Sequence, residues 1–255
     1  MAAKLLNCAG MIFNYFDKPL ELGLLNTGVG FAERFLCVLA LVFAVLSAMT
    51  IHEFAHAYVA LKCGDPTAKN FGRVTLNPVK HIHPAGFLML LLVGFGWAKP
   101  VPVNPLRFKS RVRDEIFVSL AGIVTNLVAA FFSVAAAGLM LLLIQSNVAF
   151  FEVNKYWHLL AYLVLAFFWF FTTINICVAL FNIIPVFPLD GFHVLENLLA
   201  AENGVVYFLR RYGMYILLGL ILLGYFWWSP LDWYIGGGLN LIYRAFSKFW
   251  GIFGL

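Results

Sequence analysis

The sequence predicts an all-α polytopic membrane protein. It should have about four core transmembrane helices, a re-entrant or β-hairpin segment, and interfacial helices at its termini. Three observations lead there. The 255 residues are 63% hydrophobic and only 11% charged, where soluble domains carry about a quarter charged residues. Several apolar runs reach the roughly 20 residues that a membrane-spanning helix needs. The basic residues gather beside those runs, where they act as orientation signals. A net charge of +5 therefore does not point to nucleic acid.

Along the chain, residues 1–30 read as an N-terminal interfacial segment, with a short helix near residues 5–16. They do not read as a cleavable signal peptide, because Asn7 and Asn14 interrupt the apolar stretch behind a single Lys4. The first span covers residues 31–51, uncharged after Arg34, and continues as a helix through His56 towards Lys62. Residues 85–97 are apolar but too short to cross. With Gly86, Gly94 and Gly96 they read as a re-entrant loop or hairpin. The second span covers residues 116–143, the third 157–184 and the fourth 212–228. A core domain thus occupies residues 31–228. Residues 229–255 carry Arg244 and Lys248 among aromatics, as an interfacial amphipathic segment would.

Nine of the seventeen Lys and Arg lie from Lys62 to Arg113, and Arg210 and Arg211 lie between the third and fourth spans. The positive-inside rule makes both stretches cytoplasmic and places the N-terminus outside. The ends of spans one and three then meet on the cytoplasmic side. Cys8, Cys37, Cys63 and Cys177 show no C-x-x-C spacing, so neither a disulfide framework nor a thiolate metal site is expected.

The chemistry is carried first by His52-Glu53-Phe54-Ala55-His56. H-E-x-x-H on a helix sends two imidazoles from one face, with Glu53 beside them as a general base for water. Ionisable groups within a membrane segment are costly and point to function. A catalytic zinc usually takes three protein ligands. The third candidate is Asp190, the only carboxylate between Glu152 and Glu196. It follows Pro185 and Pro188, which should break the third span's helix, and precedes Gly191. Irregular backbone at membrane depth is tolerated around a buried site or cavity. His81 and His83 form H-x-H in the basic loop and read as surface or supporting histidines. His193 reads as a helix-start surface residue and His158 as interfacial.

With these residues the chain resembles the site-2 proteases, the zinc intramembrane metalloproteases. The matching motifs are His52, Glu53 and His56, then Asn182, Pro185, Leu189, Asp190 and Gly191 in N-x-x-P-x-x-x-L-D-G order. Gly64-Asp65-Pro66-Thr67-Ala68, the stretch from Gly96 to Pro105, and Ala121, Gly122 and Asn126 also match. The likeness covers about residues 34–196 and is closest to compact members without PDZ or nucleotide-sensing domains. It differs from the usual pattern at His83, Phe187 and Gly191-Phe192-His193.

The resemblance implies zinc held by His52, His56 and Asp190, with Glu53 as the catalytic base. It implies that Asn182, and Asn126 unless that residue makes an interhelical hydrogen bond, hold the substrate backbone. The segment with Gly94 and Gly96 would offer an edge strand to the unwound substrate, unless it is a plain surface loop. The substrate would be a membrane-protein or signal-peptide-like helix in the lipid bilayer of a prokaryotic-type plasma membrane. Oligomerisation is left open. A metal-ion transporter and a catalytically idle metal-binding scaffold are the rival readings. Glu53 argues against the first, since a carrier has no use for a general base. The complete ligand-and-base set argues against the second.

Overall fold

The computed structural model describes residues 31–93, 98–147, 150, 155–199, 203–226 and 229–254. The interfacial helix expected near residues 5–16, and Gly94 and Gly96, lie outside them. The helices are α1 (Phe31–Lys62), α2 (Thr67–Asn70), α3 (Pro84–Val93), α4 (Arg111–Ser146), α5 (Lys155–Asn182), α6 (Asp190–Leu199), α7 (Gly204–Phe226) and α8 (Pro230–Gly251). Four of them, α1, α4, α5 and α7, contain stretches long and apolar enough to cross a membrane.

α1, α4 and α5 pack on one another as the central bundle, and α6 docks on α4. The contact between α1 and α4 follows from residue size at every fourth position. Ala48, His52, His56 and Ala60 of α1 are all buried, as are Val118, Gly122, Asn126 and Ala130 of α4. Rows at i, i+4 form a ridge along each helix, and small residues let two such ridges interlock with the backbones close together. Both histidines therefore lie on the packed ridge of α1 and not on its lipid-facing side. Near the other end of α1, Cys37, Ala40 and Ala44 pack with Tyr162 and Phe170 of α5. There Cys37 Sγ lies 2.8 Å from the Tyr162 hydroxyl.

Of residues 85–97, read from sequence as a re-entrant loop or hairpin, those up to Val93 belong to the helix Pro84–Val93, residues 94–97 lie outside the described residues, and no strand occurs among the described residues. An unbroken apolar stretch can satisfy its backbone internally as a helix, which a lone hairpin cannot do. Only an isolated antiparallel bridge, Ile82 to Ala98, pairs the two flanks.

The C-terminal segment, residues 229–255, is read from sequence as interfacial and amphipathic. It is capped by Ser229, whose Oγ accepts from the Asp232 backbone N–H at 3.0 Å. The helix that follows, α8, packs along α5 and α4. Phe246, Phe249 and Trp250 close around Phe131 with ring centroids 4.9–5.2 Å apart. Trp250 Nε1–H donates to the Phe131 carbonyl at 2.8 Å. Ring packing and an interhelical hydrogen bond are what hold helices together where lipid offers no hydrophobic drive.

Candidate metal centre

Three elements assemble the centre. α1 carries His52, Glu53 and His56. α4 backs the imidazoles. The turn between α5 and α6 delivers Asp190.

That turn forms because Pro185 and Pro188 lack backbone donors and cannot continue α5, which ends at Asn182. Short-range bonds replace the helical ladder: Val186 N–H to the Ile184 carbonyl, and Leu189 N–H to the Val186 carbonyl. The Phe187–Pro188 peptide is cis. Asp190 then opens α6. Gly191 sits so close to the end of α5 that a Cβ there would fall 2.2 Å from the Ile183 carbonyl oxygen. Only glycine lets the chain fold back this tightly.

His52 Nε2 and His56 Nε2 lie 3.0 Å apart, and Asp190 Oδ2 lies 3.2 and 3.3 Å from them. His52 and His56 are buried, at 6% and 8% exposure. The opposite ring nitrogens are engaged. His52 Nδ1 is 2.8 Å from Asn126 Oδ1, and His56 Nδ1 is 2.7 Å from the Val118 carbonyl. Both oxygens can only accept, so each Nδ1 carries the proton and each Nε2 presents its lone pair. Asp190 Oδ2 is itself buried and accepts no hydrogen bond. With both imidazoles neutral, three lone-pair atoms face one another, an arrangement that a cation would satisfy. Donors 2.0–2.1 Å from a tetrahedral zinc lie about 3.3 Å from one another, close to the spacing seen. Two imidazoles and a carboxylate also suit zinc chemically.

Among the described residues these three form the only cluster of at least three metal-ligating side chains. Glu53 is half-buried beside them. Asn182 closes α5, half-buried, its Nδ2 donating to its own helix at the Val178 carbonyl, 3.0 Å away. Asn126 has other partners than a substrate. It is fully buried, and its carboxamide is taken up by His52, by Asn175 Oδ1 at 2.8 Å and by the Ala48 carbonyl at 3.5 Å. His81 is buried rather than superficial, and its Nε2 lies 2.8 Å from the Thr75 carbonyl. His193 pairs with Glu196, which Arg210 also engages.

Sequence reading matched Gly122 to a family motif without giving it a role, and it missed Asn175. A Cβ on Gly122 would fall 2.5 Å from His52 Cε1 and 2.6 Å from His56 Nε2, so the imidazoles occupy the space a side chain would need. The every-fourth-residue row on α4 that also holds Val118 and Asn126 was the available signal. Asn175 carried none, being one polar residue in an apolar span.

Comparison with known proteins agrees with this arrangement. The chain is 41% identical over 158 residues to "Putative zinc metalloprotease YwhC" of Bacillus subtilis, covering 62% of this chain and 68% of that protein. It is 28% identical over 165 residues to "Putative zinc metalloprotease Rip2" of Mycolicibacterium smegmatis, covering 62% of this chain and 56% of that protein. A protein of the same name from Mycobacterium tuberculosis is 30% identical over 205 residues, 73% of this chain and 72% of that protein. No solved structure matches the chain significantly. The family profile described as "Peptidase family M50" matches residues 40–224. With four apolar helices and a cluster of two histidines and an aspartate, the chain belongs to peptidase family M50, the site-2 protease family that its motifs resemble.

Proposed function

We propose that this chain is a zinc-dependent intramembrane endopeptidase in which His52, His56 and Asp190 hold the metal and Glu53 is the catalytic base. One observation carries the assignment: three buried lone-pair atoms face one another at 3.0–3.3 Å. The names of the relatives, zinc metalloproteases, support the choice of ion.

When bound, the ion supplies a Lewis acid for a peptide carbonyl and acidifies a water. The chain does the rest. Val118 and Asn126 hold the two imidazoles with their lone pairs inward. The Glu53 carboxylate accepts the proton of the attacking water at one oxygen and returns it to the leaving amide nitrogen. The helices of the bundle exclude bulk water, which strengthens each of these interactions.

A substrate helix must unwind before its carbonyl is available, and its freed backbone groups then need partners. Asn182 pairs with them in this reading. Residues 84–98 are a second candidate: the Ile82–Ala98 bridge and the Lys99 N–H to His81 carbonyl bond at 2.8 Å tie the ends of this segment together. That closure supports a re-entrant element. Residues 31–228 form the catalytic domain in this reading. The basic residues from Lys62 to Arg113 favour a centre opening to the cytoplasm and an outside N-terminus, in a prokaryotic-type plasma membrane. Substrates are membrane-protein or signal-peptide-like helices.

Metal analysis of purified protein, combined with proteomic comparison of membranes holding wild type or Glu53→Gln, tests the proposal. Wild type should hold one zinc per chain. The variant should retain it and accumulate uncut substrate, because an amide keeps the shape but cannot take the proton. Normal cleavage by Glu53→Gln would refute the role of Glu53, and a metal-free wild type would refute the centre.

A further inference from the structure

We propose that Asn175, on α5 and outside the ligand set, is a positioning residue. Through Asn126 it holds His52 in the one tautomer that can bind a metal. The proposal rests on His52 being a ligand and adds a control over it from two other helices.

The argument starts from a group whose polarity is not in question. The Phe171 carbonyl can only accept. The Asn175 side-chain atom 2.7 Å from it is therefore the amide nitrogen, donating. This forces Asn175 Oδ1 to face the other way, towards Asn126, where the gap is 2.8 Å. An oxygen there demands a donor, so Asn126 turns its Nδ2 to Asn175. The Ala48 carbonyl, 3.5 Å from the same nitrogen, demands the same. Asn126 Oδ1 is left facing His52 Nδ1 at 2.8 Å and can only accept. The imidazole proton is thereby held on Nδ1 and the lone pair on Nε2, beside Asp190. Reversing either amide would set donor against donor or acceptor against acceptor where water cannot compensate, since Asn126 and Asn175 are both 0% exposed.

The two ligating histidines are therefore controlled differently. His56 is held by a backbone carbonyl, that of Val118, which no side-chain substitution removes. His52 depends on a side-chain relay across α4 and α5, and a substitution can break it. Hydrogen bonds to the far nitrogen of a ligating histidine fix its ring and tautomer, and losing them typically weakens metal binding 10–100-fold.

The test uses the full chain in nanodiscs, with Zn²⁺ affinity measured against a chelator and the absorption of the Co²⁺-loaded protein as a second readout. Asn175→Leu and Asn126→Leu should each lower Zn²⁺ affinity roughly 10–100-fold and alter the Co²⁺ bands. Asn126→Asp should recover most of that affinity, because a carboxylate can only accept from His52 Nδ1. Ser133→Ala removes another hydrogen bond between the same two helices, Ser133 Oγ to the Phe168 carbonyl at 3.0 Å. It should leave affinity within about twofold, as expected for a bond remote from the ligands.

Unchanged affinity in Asn175→Leu would overturn the relay, as would an equal loss in Ser133→Ala. So would Asn126→Asp binding no better than Asn126→Leu. Ring ¹⁵N shifts of His52 in zinc-loaded wild type need no variant to fold. They should report a protonated Nδ1 and a metal-bound Nε2, and the reverse pattern overturns the relay. Wild type that takes up no zinc would remove the metal centre itself, whereas wild type that binds zinc as tightly as Asn175→Leu would remove only the relay.

Discussion

Gly122 of α4 stands where a Cβ would lie 2.6 Å from His56 Nε2, closer than two such atoms can approach. Glycine at this position is thus part of the proposed metal centre, although it contributes no atom to it. Gly122→Ala should push both imidazoles aside. A displacement of about 1 Å can cost about 100-fold in turnover. We expect zinc content to fall with activity, as measured by metal analysis and a cleavage assay. Gly219→Ala on α7, where a Cβ would meet nothing within 4 Å, should change neither.

Gly191 constrains Asp190, the proposed third ligand, in the same way. Its would-be Cβ meets a backbone oxygen, that of Ile183, which cannot swing away as a side chain can. Gly191→Ala should shift the start of α6 and carry Asp190 with it. Overpacking of this kind costs about 1–3 kcal/mol. Thermal unfolding in detergent should therefore move down in temperature while zinc content drops. A variant with wild-type melting and wild-type zinc would show that the turn has slack that its geometry does not suggest.

Asp65 gives a prediction about pH, away from the metal. Burial works against its charge, but the Asn104 N–H, the Thr67 hydroxyl and N–H, and the nearby Arg107 outweigh that and hold its carboxyl below the usual carboxylate range. Asn104 N–H donates to Oδ2 at 2.7 Å and Thr67 N–H to Oδ1 at 3.0 Å, tying the loop after α1 to the loop before α4. The folded-state pKa lies below the unfolded one, about 3.9. The stabilisation is therefore present above that value and is lost as pH falls through the folded pKa. Asp65→Asn should cost about 1–3 kcal/mol near neutral pH. It should also flatten this part of the acid unfolding curve followed by circular dichroism. Parallel curves for the two proteins would remove Asp65 from the account.

Much of this was legible in the sequence because it depends on neighbours along the chain. Apolar runs must become helices in lipid, where every backbone group needs an internal partner, and four helices suited to spanning formed near the predicted positions. His52 and His56 share a face because they are four residues apart. α5 stops at Asn182 because prolines follow it. The contacts of the C-terminal helix were not legible, for the complementary reason. Arg244 and Lys248 suggested a surface helix, and nothing local announced that Phe131 would receive Trp250, 119 residues away in sequence.

The sequence by itself determined the helical class, the reactive pair on α1 and the break that frees Asp190, since each is a property of local spacing and backbone chemistry. Only the tertiary structure decided that Asp190 meets both histidines, that Gly122 makes room for them, and that Asn126 bonds to His52 and Asn175. Those facts depend on which small residues let α1 and α4 approach, and on hydrogen bonds between residues 49 and 74 positions apart. A carboxamide reads the same in sequence whether it faces substrate or a histidine. Its partners exist only once the helices have packed.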